Sequence, residues 1–442
     1  MGPVTAGEGR RPRVAIIVQN LPVPFDRRVW LECRALTGAG YDVTVVCPKG
    51  KGDPARQVLD GVTIFKYRPY APGGSALGFV VEYLWSFLAT AWLIGRARRA
   101  GRFDVLQACN PPDIFWPIAR WLRLRDRTRF VFDHHDLCPE LYDSRFGAAR
   151  TAAGAPGGSQ LAKRGLLALE RATFRTADHV TSTNASYAEV AMRRGGKAAA
   201  DVTIVRTGPD PLKLQRRQEV EALRRGRAHL VAYIGVMGPQ DGVDVAVRAA
   251  AHIVHELGRE DVSFTFMGSG DCHADLVALR DSLGITDHLD LPGRVPDAFV
   301  VDVLSTAEVG LSPDPKNPLN DVSTMNKTME YMAFSMPVVA FDLKETRVSA
   351  GDAAVYVADG DIEKYARAVL DLLDDVPTRT AMGRLGREKV VRELGWPCQE
   401  AAYVGVYDAL TGRTGERKVI ALPTEPATTS AAAPDADPQT GA

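Results

Sequence analysis

Two successive series of short apolar runs, separated by stretches with helical spacing, constrain this chain more than any other feature. The first series comprises Arg13 to Gln19 (RVAIIVQ), Asp42 to Cys47, Val62 to Tyr67, Asp104 to Ala108, Arg129 to Phe132, Val180 to Ser182 and Val202 to Val205. The second comprises Leu230 to Ile234, Ser263 to Met267, His288 to Leu291, Val309 to Leu311 and Pro337 to Phe341. Apolar strands alternating with helices predict parallel sheets covered on both faces. The expected class is therefore α/β, with two tandem doubly wound Rossmann-like domains facing a cleft. The expected limits are a flexible N-terminus at 1–12, a first domain at 13–210, a polar linker at 211–228, a second domain at 229–395 and a disordered tail at 414–442. Residues 147–160, nearly all Gly, Ala and Ser, are expected to be mobile.

Ligands of such sheets sit outside the carboxyl ends of the strands, so the loops there decide the chemistry. The loop Gly235 to Gly242 (GVMGPQDG) and the run Met267-Gly268-Ser269-Gly270-Asp271 each join a strand to a helix. Glycines there allow close approach of a phosphate to a helix start, and they are equally ordinary structural punctuation. The corresponding first-domain loop, Asn20 to Arg28 (NLPVPFDRR), has no glycine, which argues against a nicotinamide-binding fold.

The segment Asn317 to Val339 is the richest. Asn326 and Glu330 share a helix face, being four residues apart. Lys327 falls in the first helical turn, where a cation opposes the dipole unless a diphosphate sits at the helix start. A solvated face is the plainer reading. Glu330, flanked by Met329, Tyr331 and Met332, needs a donor, and a ribose diol would supply two hydroxyls. In Phe132 to Glu140 (FDHHDLCPE), His134 and His135 point apart on an extended chain. The readings are one imidazole bonded to a substrate, a structural histidine paired with Asp136, or a metal site. Asn110, ending the preceding strand, reaches the same cleft as Asp136.

The tandem arrangement, His135-Asp136-Leu137-x-Pro139-Glu140, the Tyr233-Ile234-Gly235-x-x-Gly238 turn and Asn326-Lys327-x-x-Glu330 followed by Pro337-Val338-Val339 resemble family-4 retaining glycosyltransferases of the GT-B fold. Among these the chain looks most like bacterial enzymes building surface or capsular polysaccharides. The resemblance implies a hexosyl-type transferase with a nucleoside-diphosphate sugar as donor, a lipid-linked or polysaccharide acceptor and no metal or other cofactor. It assigns the nucleotide ribose to Glu330, donor contacts to Ser323, Thr324 and Met325, and the donor sugar to His135. The residues themselves add Lys327 to His135 and Glu330 as catalytic, Gly238, Gly268, Asp321, Asn326 and Lys327 as donor contacts, and Asn110 and Asp136 on the acceptor side. A final helix at 396–410 would cross back onto the first domain.

The sequence departs from that pattern in three places. Val322 stands where the first glutamate of E-x7-E is expected, with Asp321 adjacent. Val236 and Asp241 replace a diphosphate-binding Arg and Lys, leaving Lys327, with Arg27 or Arg28 behind it, to meet the phosphate charge. Thr207 replaces an interdomain Asn. The alternatives are a degenerate, non-catalytic relative acting through interactions and a nucleotide-sugar epimerase.

Charge and composition bear on partners. Lys+Arg and Asp+Glu number 54 each, which speaks against a dedicated nucleic-acid binder. Residues 1–210 nevertheless hold 30 basic and 19 acidic residues, and residues 211–442 hold 24 and 35, so opposite halves of +11 and −11 cancel. Much of the basic excess follows Leu77 to Ile94 (LGFVVEYLWSFLATAWLI), eighteen residues whose one charge is Glu82. This stretch reads either as a half-buried helix or as one lying on a membrane, with the arginines near anionic headgroups. The expected location is cytoplasmic, peripheral on the inner face of the plasma membrane. Six irregularly spaced cysteines without a C-x-x-C pair indicate reduced thiols. The first thirteen residues have no apolar core of a signal peptide.

Overall fold

The computed structural model describes residues 10–70, 76–144 and 160–413. The expected N-terminal extension up to residue 9, the Gly/Ala/Ser segment up to 159 and the tail from 414 lie outside the described residues.

The first sheet contains β1 (Arg13–Ile17), β2 (Asp42–Pro48), β3 (Arg56–Leu59), β4 (Val62–Tyr67), β5 (Val105–Cys109), β6 (Arg129–His134), β7 (His179–Ser182) and β8 (Val202–Ile204). Their order is β3-β4-β2-β1-β5-β6-β7-β8, parallel except at the β3 edge. The second sheet orders β9 (His229–Ile234), β10 (Val262–Met267), β11 (Leu289–Gly293), β12 (Val309–Ser312), β13 (Val338–Phe341) and β14 (Ala354–Val357) as β11-β10-β9-β12-β13-β14. The order of strand addition reverses between the parallel neighbours β1 and β5 in one sheet and β9 and β12 in the other. Each reversal opens a crevice at the carboxyl ends.

Strand β3 is absent from the sequence expectation because it is short and largely exposed. Asp60 and Gly61, both at positive φ, turn it tightly back from β4. The expected linker is partly anchored to the second domain. Arg224 within it is buried against Glu308, and Leu223 packs on that domain's core.

The helix Trp396–Thr411 packs on the first domain. The Tyr403 hydroxyl donates to Gln107 Oε1 at 2.7 Å, and Tyr407 reaches the same oxygen. Gln107 Nε2 donates to Glu32 at 2.7 Å, and Glu32 pairs with Arg28 at 3.2 Å. The crossing helix is thus tied into the buried polar centre of the first sheet.

The apolar run forms the helix Ala76–Ala97, and no described helix is long and apolar enough to cross a membrane. Its orientation is unusual. Ser86 and Thr90 are buried beside Leu93 and Ile94, whereas Leu84 (58% exposed), Leu88 (55%) and Trp92 (63%) face outward with Val80 and Trp85. Arg96, Arg99, Arg102, Arg120 and Arg125 are exposed on this helix, the turn after it and the neighbouring helix Trp116–Asp126.

Candidate active site

Contacts between the two sheets fall at their carboxyl ends. Arg27, after β1, donates to Asp297 at 2.8 Å and lies 3.7 Å from Glu330, while Arg294 sits 4.2 Å over the Phe25 ring. Asn184, after β7, caps the helix Ala185–Arg193 and donates to Val322 O at 2.9 Å and Thr324 Oγ1 at 3.0 Å. Tyr187 meets Ser323 Oγ at 3.0 Å, and Ser186 donates to Glu345 at 2.6 Å. The two crevices therefore face each other.

On the first side, Asn110 clamps the backbone ahead of the helix that begins at Cys138. Its Oδ1 accepts from the N–H groups of His135 (2.8 Å) and Asp136 (3.0 Å), and its Nδ2 donates to Asp136 O at 2.7 Å. This holds His135 at the crevice, partly exposed. His134 points the other way, as anticipated, into the rings of Phe132, Phe174 and Tyr187. Both its nitrogens are buried without a partner, and burial pushes its pKa down to about 3. The possible pairing of a structural histidine with Asp136 is therefore not what His134 does.

Cys109, Asp133 and His135 place ligand-type atoms within 4.8 Å of one another. Asp133, however, already accepts from Arg28 at 2.6 and 3.0 Å and from Thr181 at 2.8 Å. Burial alone would raise its pKa, but Arg28 more than offsets this and holds it well below the usual range. Arg28 also donates to Val205 O and Thr207 Oγ1, both at 2.9 Å. It serves this buried centre and the interdomain segment, not a phosphate.

On the second side, the helix Asn326–Ala333 starts at Met325 with no side-chain cap; the Thr328 N–H bonds the Met325 carbonyl at 3.1 Å, which leaves the Asn326 and Lys327 N–H groups to a ligand. Asn326 is exposed and Glu330 half-buried, one turn apart as expected. Burial raises the Glu330 pKa, and Arg27 partly opposes the rise. Lys327 departs from expectation. It is neither on a solvated face nor free for a phosphate, but buried, with Nζ 2.5 Å from Asp314 and 4.0 Å from Asp241. Burial would lower its pKa, and those carboxylates more than compensate. Arg27, well exposed in the cleft, is the cation the geometry offers instead.

Other expected donor contacts have partners of their own. Asp321 accepts from the Lys344 N–H at 2.9 Å and lies 3.5 Å from Lys316, so it does not fill the place left by Val322. Val322 packs with Leu137, Tyr187 and Leu319. Ser323 Oγ donates to Leu319 O at 2.7 Å. The Gly238 N–H is taken by Asp241 at 3.0 Å. A Cβ at Gly268 would collide with the Gly235 carbonyl, so close packing of the two loops explains that glycine. Asp314, Asn184 and Tyr187 were missed from sequence. Asn184 alone had a local signal, a capping residue ahead of a helix.

Two tandem sheets meeting at their carboxyl ends, with His135 and Asn110 opposite Glu330 and an uncapped helix start, define a GT-B architecture. A family model described as glycosyl transferase 4-like domain matches residues 26–208, and one described as glycosyl transferases group 1 matches residues 228–375. The chain belongs to the GT-B glycosyltransferases of groups 1 and 4.

Among curated relatives, a 2-deoxystreptamine glucosyltransferase of Streptomyces kanamyceticus is 26% identical over 255 residues, which is 56% of this chain and 64% of that protein. A GDP-mannose-dependent monoacylated phosphatidylinositol monomannoside mannosyltransferase of Corynebacterium glutamicum is 26% identical over 36% of this chain and 41% of its own. The chain thus aligns with less than two thirds of either relative. Sucrose-phosphate synthase from Thermosynechococcus elongatus superposes with a TM-score of 0.68 at 17% identity, covering 91% of this chain and all of that one. Anabaena HepE in complex with UDP-glucose gives 0.66 at 13% identity, covering 90% and 99%. At these identities the structures bear on the fold.

Proposed function

We propose that the protein transfers a sugar from a nucleoside-diphosphate sugar to a lipid-linked or polysaccharide acceptor, with retention at the anomeric carbon. The observation that carries this reading is the opposition of Glu330 and the uncapped helix start to His135 across one cleft. Glu330 accepts the two ribose hydroxyls. The diphosphate lies at the N-terminus of Asn326–Ala333, where unpaired N–H groups and the helix dipole favour an anion. Arg27 adds positive charge there, and no metal or other cofactor is invoked. The relatives that bind UDP, UDP-glucose or ADP support the donor class.

In the reaction, the bond from the anomeric carbon to the diphosphate oxygen breaks. The acceptor oxygen attacks from the same face, and its proton passes to the departing phosphate oxygen. Preorganised N–H groups and Arg27 stabilise the growing diphosphate charge. His135 faces the sugar and supports its oxocarbenium character.

The outward apolar helix and the arginines around it support a peripheral position on anionic lipid at the cytoplasmic face of the membrane. Salt-sensitive co-sedimentation with anionic vesicles tests that part; its absence removes the membrane and leaves the transferase.

Calorimetry with UDP- and GDP-sugars, followed by product mass with lipid-diphosphate acceptors, tests the reaction. Failure of every nucleotide sugar to bind favours the degenerate relative. Isomerised donor without acceptor favours the epimerase.

A further inference from the structure

The segment between Leu319 and the start of the helix Asn326–Ala333 belongs to the second domain, yet the first domain holds it. Asn184 is fully buried. Its Oδ1 accepts from the Tyr187 N–H at 2.8 Å, which caps the helix Ala185–Arg193 and sets which way the amide faces. Both hydrogens of Nδ2 are then spent on the second domain, one on Val322 O at 2.9 Å and one on Thr324 Oγ1 at 3.0 Å. The Tyr187 hydroxyl lies 3.0 Å from Ser323 Oγ. Ser323 spends its single proton on Leu319 O at 2.7 Å, so Tyr187 is the donor of this pair. Burial pushes the phenol above its usual range, so it keeps the proton it donates.

Apolar contacts complete the clamp. Leu137, two residues after His135, packs with Tyr187, Leu319 and Val322. Val322 stands where the family's first glutamate is expected. Here it is an apolar peg between the domains, and the residues after it are oriented from across the cleft.

Thr324 is half-buried, and its Oγ1 accepts from Asn184, while among the described residues no acceptor takes its hydrogen. Along the chain it lies between Val322, which meets the His135 segment through Leu137, and the Asn326 and Lys327 N–H groups at the helix start. With the ribose at Glu330 and the diphosphate at that helix start, the next part of the donor toward His135 is the sugar.

We propose that Asn184 and Tyr187 are positioning residues that hold Thr324 so that its hydroxyl donates to an oxygen of the donor's sugar. Recognition of the sugar is then built by both domains, whereas the ribose is held by Glu330 of the second. The proposal rests on the transferase reading and adds the residues that serve its sugar.

The test is calorimetry on the full-length protein. The probes are UDP-glucose, UDP-galactose, UDP-N-acetylglucosamine and GDP-mannose, each against free UDP or GDP, and the tightest donor is carried into the variants. Asn184→Ser keeps a capping oxygen and loses both Nδ2 hydrogens, and Tyr187→Phe loses only the hydroxyl. Asn184→Ser and Thr324→Val should each weaken the intact donor about three- to ten-fold, the loss of one hydrogen bond, and change the free nucleotide less than about two-fold. Tyr187→Phe should weaken the intact donor about two- to five-fold. Asn184→Ser/Thr324→Val should bind within about two-fold of Thr324→Val, because the asparagine acts through the threonine. Glu189→Ala, on the exposed face of the same helix, should change neither ligand. If Asn184→Ser fails to fold, Tyr187→Phe and Thr324→Val carry the same comparison. Unchanged affinity for the intact donor in Thr324→Val, or in both Asn184→Ser and Tyr187→Phe, overturns the proposal. Equal weakening of donor and free nucleotide, or additive losses in the double variant, overturns it too, and each of these results leaves the transferase standing. Failure of the wild type to bind any nucleotide sugar overturns the transferase reading instead.

Discussion

Arg27 Nη1 lies 3.7 Å from Glu330 Oε1, joining the loop after the first strand of one domain to the middle of a helix in the other. Both residues line the cleft, so donor and domain closure use the same pair. Glu330→Ala should weaken donor binding about 10- to 100-fold, the loss of hydrogen bonds to a charged group worth ~1.5–3 kcal/mol. Arg27→Ala should also weaken the donor while changing stability by less than ~1 kcal/mol, because the arginine is well exposed. Calorimetry with the cognate donor and thermal melts check both. Unchanged donor affinity in Glu330→Ala would remove it from the site.

Donor affinity should depend on pH through Glu330. Its carboxyl is raised by burial, with Arg27 partly opposing, so it protonates at a higher pH than a free glutamate. The ionised form is the one that accepts ribose hydroxyls. Affinity should therefore fall on acidification, beginning above the ordinary carboxylate range of about 4.3. Titrations between pH 8 and 5 should show this fall in the wild type and a flat profile in Glu330→Gln.

Lys327 and Asp314 test each other. Lys327→Met leaves a buried carboxylate without its cation, a change that costs roughly 3–5 kcal/mol. Denaturant melts should register that loss and show most of it recovered in Lys327→Met/Asp314→Asn. Turnover by the double variant then reports on the lysine's role in catalysis, separate from its structural one.

Asp113, buried beside the Asn110 clamp, should make stability pH-dependent. Burial pushes its carboxyl up to about 7, with Cys138 and Asn110 nearby only partly compensating. The folded state then holds a proton that the unfolded chain has released above about 3.9. Stability contributed by this group is present at low pH and is lost as pH rises toward 7. Asp113→Asn should raise the melting temperature at pH 8 by a few degrees and flatten its dependence between pH 4 and 7. Identical melting profiles for the two proteins would contradict this.

Most of the sheet was legible because buried parallel strands are continuous apolar runs, as in Leu230 to Ile234. Strand β3 was not, since Arg56 to Leu59 is mostly exposed and carries no such pattern. Glu330 could be picked out by its place within an apolar helix. The neutralisation of Lys327 could not, because Asp314 lies thirteen residues away and reaches it only through the geometry of β12 and the following helix. The same holds for Asn184 and Thr324, 140 residues apart in sequence and joined only when the domains meet. Glu82 stood out as an intruder in sequence, yet its partner Gln19 belongs to a strand end 63 residues earlier.

The crossing helix Trp396–Thr411, whose Tyr403 and Tyr407 hydroxyls reach Gln107, has a consequence for biosynthesis. The first domain is made first but is sealed by residues made only after the second domain. While the second domain emerges from the ribosome, the polar centre around Arg28 and Glu32 waits without its lid. A gene cut between the domains would therefore give a first half that needs residues 396–411 supplied in trans, and circular permutants that join this helix directly to the first domain should yield soluble protein where the simple truncation does not.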